Sequence, residues 1–541
     1  MVMLFVNNVI VIEKNLIIMA GKSSLKKLFS DSIIYGMSSI VGRFLNYLLV
    51  PLYTYTLVSS GNYGIVTNFY AYTALLLVLL TFGMETTFFY FANRKGLNSP
   101  AEIKEIAEKN SHTERTENTE KDGAWADRVF STALWMVGGV AMAFIVIVNA
   151  FIGPISTAIG YGDHPEYIRI MSVIVGFDAF QAILFAFLRY QGRAWKFAGL
   201  KMLFIVMNIG LNLGVFLLAP KLAVTHPDMM RWYSADKQVF YIFFINMICT
   251  VPITLGFIPE LRRMRFGMDR QLAGEMLRYS WPLLLLGLAG ILNQVADKIC
   301  YRFIMPGAEG DAQLGIYGAC VKIAMIMAMI TQAFRYAYEP LVFGGGNSKD
   351  SKESQATVMK YFIMFTLLAF LAVIAYLDIL KMIISSRYWE GLRVVPIVMM
   401  AEIFMGIYFN LSFWYKLIAK TWWGAIMSAI GCVTLLAVNF IFVPRYGYMA
   451  CAWGGVCGYG VCMVLSYFLG QHYNPTNYPL KAIGGYFVLA MVLYVGMRWS
   501  EGIGGWGTIA VNTVMLVVFA GVMVWNEREL LATLTKKKRR R

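Results

Sequence analysis

The chain has 541 residues, 58% of them hydrophobic and only 14% charged, with a mean hydropathy of +0.60. Soluble domains carry about a quarter charged residues. The composition therefore argues against a water-soluble protein and for one that spends most of its length in lipid. The formal charge of +16 would also suit nucleic acid, but the basic residues gather in alternate loops, as on the cytoplasmic face of a membrane protein, and no nucleic-acid partner is expected.

The first twenty residues hold a short apolar stretch broken by Glu13 and Lys14. They lack the basic start of a cleaved signal peptide, and initiation at Met19 is as compatible with the sequence as initiation at Met1. Long apolar segments follow, about fourteen in all, each long enough to cross a bilayer. In chain order they cover 30–56, 63–92, 129–151, 167–190, 197–219, 239–258, 277–304, 314–343, 358–377, 394–417, 423–443, 448–469, 482–497 and 508–525. They show no two-residue alternation, which argues against a transmembrane barrel. Helices are the other way to satisfy backbone polar groups in lipid, so the fold class is all-α and polytopic.

With the N-terminus in the cytoplasm, about 33 of the 47 basic residues fall in inside segments and about 10 in outside ones. The inside set includes Arg262, Arg263, Arg265 and Arg270, and the terminal run Lys536, Lys537, Lys538, Arg539, Arg540 and Arg541. That run suits anionic lipid headgroups. Both termini inside requires an even number of spans. The expected organisation is a cytoplasmic segment 1–27, an N-lobe 28–260 of six spans with a polar cytoplasmic loop at 93–127, a C-lobe 275–470 of six spans, a C-terminal helix pair 480–526 and a basic tail 527–541.

The two lobes carry signs of a repeat. A shift of 254 residues places Tyr63-Gly64 on Tyr317-Gly318, Glu85 on Glu339, Arg43 on Asp297 and Thr81 on Arg335. After the polar loop a shift of 227 places Asn212 on Asn439, with Pro220 and Pro444 following. Duplicated halves of equal orientation are a common transporter architecture.

Charges within spans are costly, and such residues usually face a cavity or a partner. The first span carries Tyr35, Ser39, Arg43, Asn46 and Tyr53 on one helical face. The seventh carries Gly290, Asn293, Asp297 and Tyr301 at similar spacing, with Lys298 beside them. Each lobe thus opens with a helix whose polar face is expected to line a cavity. An Arg43–Asp297 bridge holding the halves together is the alternative, and the two are compatible. Arg43, Asn46, Lys298 and Arg335 are the candidate anion-binding residues. Asp297, Glu85, Glu339, Asp178 and Glu402 are candidates for ion coupling or structural charge. Arg335 lies one turn before Glu339 and could neutralise it.

The seven cysteines lie in apolar segments and read as small buried hydrophobes. The four histidines read as separate loop residues, so no metal site is expected. The phosphate-cradling motif of an ATPase is absent from the sequence, as are a nucleophile elbow and a zinc signature. No cofactor and no enzymatic chemistry are expected. Work would come from gradients, membrane potential or mass action, with H+ or Na+ as candidate coupling ions.

The opening stretch DSIIYGMSSIVGRFLN at 31–46, PLYT at 51–54, NYG at 62–64 and VPRYGYMACA at 443–452 together resemble the polysaccharide-biosynthesis flippases. These are the O-antigen-type exporters of the multidrug/oligosaccharidyl-lipid/polysaccharide superfamily. In the last segment Tyr448-Met449 stands where the family has a glycine before the small residues. The resemblance implies translocation of an undecaprenyl-pyrophosphate-linked oligosaccharide across the bacterial cytoplasmic membrane, for O-antigen, capsule or exopolysaccharide assembly. It implies two six-helix lobes rocking around a cationic cavity, membrane lipids and a polysaccharide assembly machinery as partners, and Arg43 as a contact of the pyrophosphate. In related lipid II flippases the last two helices help to form a groove for the lipid tail. Two alternatives stay open: a cation-coupled multidrug exporter of the same superfamily, and a membrane-embedded glycan polymerase or ligase. Against the latter, the first outside loop, at about 58–62, holds no acidic residue.

Overall fold

The computed structural model describes residues 47–93, 114–264, 267–345, 349–418, 420 and 422–528. Arg43 and Asn46 lie outside the described residues, as does most of the predicted first span. The side chain of Glu339 does too, although its backbone is helical.

The described residues form helices and connecting turns. They are α1 Leu49–Thr56, α2 Ser60–Thr81, α3 Met84–Asn93, α4 Glu114–Ala150, α5 Pro165–Tyr190, α6 Ala194–Leu213, α7 Gln238–Leu255, α8 Arg270–Ile304, α9 Ala308–Gly345, α10 Lys349–Ala375, α11 Val394–Leu411, α12 Trp422–Tyr446, α13 Tyr448–Tyr473, α14 Leu480–Ser500 and α15 Gly505–Asn526. Thirteen helical stretches among them are long and apolar enough to cross a membrane. They match the predicted second to fourteenth spans one for one. Two sequence readings change in detail. Helical backbone begins at Glu114, inside the predicted loop 93–127. His472 lies in the last turn of α13 rather than in a loop.

Contacts divide the chain into two compact units, meeting in sequence at Gly307 and Ala308, so that α8 belongs to the first. The core of the first unit is aromatic. Phe130 of α4 stacks on Phe187 of α5 with centroids 3.9 Å apart, and Phe88 of α3 meets both rings edge-on. Asp269 caps α8 by accepting from the backbone N–H groups of Gln271 and Leu272 at 3.1 and 3.2 Å. It also pairs with Arg128 of α4. Near Pro220 the α6 segment passes through a π-helical turn, Gly214–Leu218. A proline cannot donate to the preceding turn, and the wider register is one way for a helix to absorb that loss.

The second unit contains α9 to α15 together with Ser59–Gly64, the start of α2. That start crosses α9 at very close range. A Cβ on Gly64 would stand 1.9 Å from the Asp311 carbonyl oxygen, and one on Gly315 would stand 1.9 Å from the Ser60 carbonyl oxygen. Only glycine at both positions permits this approach. Within the repeat, Gly64 corresponds to Gly318 and Gly61 to Gly315, so the contact joins related glycine pairs.

The helix pair α14–α15 is fastened to α10 at one end. Glu527, just past α15, accepts from Lys360 Nζ at 2.6 Å and from Tyr361 Oη at 2.7 Å, and its side chain is 16% exposed. Burial works to raise the Glu527 carboxyl, but the bonds from Lys360 and Tyr361 outweigh it and hold it below the usual value. A depressed folded value means that the latch is fully present above the ordinary carboxylate range and is lost as pH falls through the depressed value. Glu527→Gln is expected to destabilise the protein by about 1–3 kcal/mol at neutral pH and to flatten its loss of stability in acid. Thermal melting of wild type and variant in detergent between neutral and acidic pH checks both. Parallel pH profiles would show that the latch carries no pH-dependent stability.

The seven cysteines do not all follow the buried reading. Cys457 is exposed and Cys300 half-buried, while the other five are buried. Cys457 sits on α13, a membrane helix, where lipid contact serves a thiol as well as a packed core does.

Candidate functional site

The described candidate residues fall in three places. The first is the α8 end near Ile304, inside the first unit. Asp297 is buried, and Lys298 Nζ curls back to donate to both of its carboxylate oxygens at 3.0 Å and to the Gln294 carbonyl at 3.1 Å. The two side chains are 7% and 18% exposed. Adjacent residues on a helix normally diverge, so this pairing uses the length of the lysine stem. The backbone is held as well. Asn68 of α2, fully buried, donates to the Lys298 carbonyl at 2.7 Å and accepts from Tyr161 Oη at 3.0 Å. Arg302, one turn beyond Lys298, lies 3.8 Å over the Tyr161 ring and donates to the Gly160 carbonyl. The candidate carboxylate thus sits in a polar network that ties α8 to α2 and to the turn at Gly160 and Tyr161, just past the short helix Ile152–Ala158.

The second place is the opposite end of the same unit. Glu85 accepts from Arg189 of α5 at 2.6 Å, with side chains 42% and 34% exposed. At that exposure an ion pair contributes on the order of 1 kcal/mol or less. Asp178 of α5 lies within electrostatic reach of Lys201 of α6, which also feels Glu85 and Arg189. The Lys201 ammonium lies 4.1 Å over the Phe185 ring. Farther out, Glu260 is buried and binds Arg193 at 3.0 Å and Lys196 at 2.5 Å, clamping the start of α6 to the segment after α7.

The third place is in the second unit. Arg335 of α9 sits 3.8 Å over the ring of Phe409 of α11. The ammonium of Lys416 lies 5.1 Å from the same ring and 5.0 Å from that of Phe413. Two cations thus share one aromatic ring, one of them a guanidinium, whose planar fork is the geometry that matches phosphate oxygens. Glu402 is half-buried on α11. Asn212 and Asn439, equated by the repeat, are both buried. The Asn212 side chain donates to the Asn208 carbonyl at 2.7 Å.

Within the first unit the described candidates fall into two groups. Asp297 and Lys298 are joined to each other, Glu85 and Asp178 share the neighbourhood of Lys201, and Arg335 stands with Lys416. Arg189, Lys201, Arg302 and Lys416 were not singled out from sequence, although each is a charge in or beside a span and could have been found by that signal alone. Asn68 and Tyr161 carried no such signal.

No protein-family model and no curated protein matches the sequence. Solved structures do. The chain is similar to the lipid II flippase MurJ in an inward closed conformation, with a TM-score of 0.62 and 14% identity, over 93% of this chain and 100% of that one. It is similar to an inward-facing multidrug resistance MATE family transporter of the MOP superfamily, with a TM-score of 0.59 and 14% identity, over 79% of this chain and 93% of that one. The MATE multidrug transporter DinF-BH gives 0.55 and 16%, over 83% and 96%. The chain has the fold of MOP-superfamily transporters. At such identities the likeness is one of fold, and the chemistry rests on this chain's own residues.

Proposed function

We propose that this protein is a flippase that moves an undecaprenyl-pyrophosphate-linked oligosaccharide from the inner to the outer leaflet of the bacterial cytoplasmic membrane, for assembly of a surface polysaccharide. The observation that carries the reading is the match to the flippase fold over 93% of this chain and all of the flippase. The two MATE structures account for 79% and 83% of it. That difference favours an architecture with the additional pair α14–α15. The cationic spot at Arg335 and Lys416 supports an anionic head on the cargo, and Arg43 would add a third cation. Asn46 and Lys298 complete the proposed anion-binding set. Asp297, with Asp178, Glu402, Glu85 and Glu339, is proposed for coupling to H+ or Na+ or for structural charge. The two compact units supply the bodies that alternating access requires. Both termini are proposed to be cytoplasmic.

A second reading, export of cationic drugs, is favoured by the MATE likeness and by the intramembrane acids Asp178 and Glu402. Reconstitution separates the two. In vesicles carrying undecaprenyl-pyrophosphate-linked glycan in both leaflets, the protein should expose the inner pool to a glycan-cleaving enzyme added outside, and Arg335→Ala should slow this at least tenfold. An inner pool that stays protected, while a cationic dye is moved against a gradient, would replace the flippase by the drug exporter.

A further inference from the structure

In the first unit α2 and α3 are separated by an abrupt break. Phe82 takes a φ of 34° and Gly83 a φ of 72°, backbone that a bulky residue rarely adopts. The break faces the proline turn of α8. Pro282 lies inside α8, and a Cβ on Gly83 would meet Leu283 Cβ at 2.8 Å and the Ser280 carbonyl at 3.3 Å. The break in one span thus packs against the proline turn of a continuous neighbouring helix. Pro282 has no N–H, so the Arg278 carbonyl loses its usual helical donor.

Beside this break a cavity of about 500 Å³ opens between α3 and α8, with Tyr90 on one side and Glu275, Arg278, Tyr279 and Pro282 on the other. Tyr90 and Tyr279 stack with centroids 4.2 Å apart and planes 10° apart, forming a flat amphipathic wall. Glu275 and Arg278 are exposed, and neither enters an ion pair or a side-chain hydrogen bond among the described residues. They lie three residues apart on one helical face, about 4.5 Å along the axis. They also mark the boundary where α8 turns apolar. Beyond them Trp281 and Leu285 stand 59% and 48% exposed, in the position for acyl chains. The Lys and Arg bias of the loops assigns this end to the cytoplasmic leaflet.

An acid and a base, unpaired with each other at the headgroup level, are complementary to a zwitterion. We propose that this cavity binds a phospholipid whose head is a phosphate joined to a primary ammonium by two carbons, that is, phosphatidylethanolamine. Arg278 takes the phosphate. Glu275 and the freed Arg278 carbonyl accept from the ammonium, and the glycerol rests on Tyr279 and Pro282. A purely anionic head meets the repulsion of Glu275. A choline head carries no N–H for the carboxylate or the carbonyl.

The test uses the purified, delipidated full-length chain, offered equimolar phosphatidylethanolamine, phosphatidylglycerol and phosphatidylcholine in detergent, with retained lipid counted by native mass spectrometry. The wild type should retain phosphatidylethanolamine at least fivefold over either competitor. Glu275→Gln should shift the preference toward phosphatidylglycerol, and Arg278→Gln should abolish retention of both. Arg278→Lys, which keeps the charge, should retain the wild-type order and guards against misfolding of the Gln variant. Arg270→Gln, outside the cavity, should change nothing. Equal retention of all three lipids by the wild type would overturn the proposal. So would a wild-type preference for phosphatidylglycerol, or a preference unmoved by Glu275→Gln. The readout involves no transport, so it stands or falls apart from the flippase reading.

Discussion

Asp297→Asn is expected to be among the most damaging single substitutions in the first unit. It leaves the Lys298 ammonium, 18% exposed, beside a neutral amide in the interior of a membrane helix. Removing one partner of a buried ion pair costs about 3–5 kcal/mol, because the remaining charge keeps its desolvation penalty. The variant should melt well below wild type and accumulate poorly. Replacing both partners, as in Asp297→Asn with Lys298→Met, should recover most of that stability, since apolar substitutes for a buried pair are close to neutral. Transport separates structure from mechanism. If Asp297 carries coupling, the double variant will be stable and inactive. A single Asp297→Asn variant with wild-type melting and normal glycan export would show that the pair serves neither purpose.

Gly64→Ala and Gly315→Ala are expected to have comparably large effects from the opposite cause, too much volume. A methyl at either position would enter the van der Waals radius of a backbone carbonyl, with Cβ–O separations of 1.9 Å. A carbonyl cannot rotate away as a flexible side chain can, so the start of α2 and α9 must separate, at a cost of about 1–3 kcal/mol or more. Gly139→Ala supplies the control. It lies within α4 with nothing within 4 Å of its added Cβ, and should be neutral or gain up to about 1 kcal/mol from helix propensity. Melting temperatures of the three variants check the contrast. Equal behaviour of all three would remove close packing as the explanation.

Both predictions turn on features that were unevenly legible in the chain. The membrane helices were readable because lipid imposes one strong rule, about twenty apolar residues per crossing, and the thirteen described spans fall where that rule placed them. It was blind where helices leave the lipid. The helix from Glu114 to Ala150 continues well beyond the apolar run at 129–151, since polar residues end a hydropathy signal without ending a helix. It was blind also to the break at Phe82 and Gly83, inside an unbroken apolar stretch predicted at 63–92, because hydropathy carries no backbone dihedral.

For the site, composition showed which charges lie in spans but not whom they meet. Asp297 with Lys298 could be read from adjacency. Glu85 with Arg189 spans 104 residues of sequence and depends on α3 packing beside α5. Arg335, one turn before Glu339, sits over Phe409 of another helix, a neighbour that hydropathy does not reveal. The Glu339 side chain is outside the described residues, as are Arg43 and Asn46, so the proposed pyrophosphate contact of the first span rests on sequence alone.

The most direct measurement is leaflet-resolved labelling of undecaprenyl-linked glycan in cells depleted of this protein. The flippase reading predicts full-length precursor accumulating on the cytoplasmic leaflet, relieved when the protein is expressed again and not relieved by an Arg43→Ala variant made at normal level. Normal outer-leaflet precursor in depleted cells would contradict it and put drug export first.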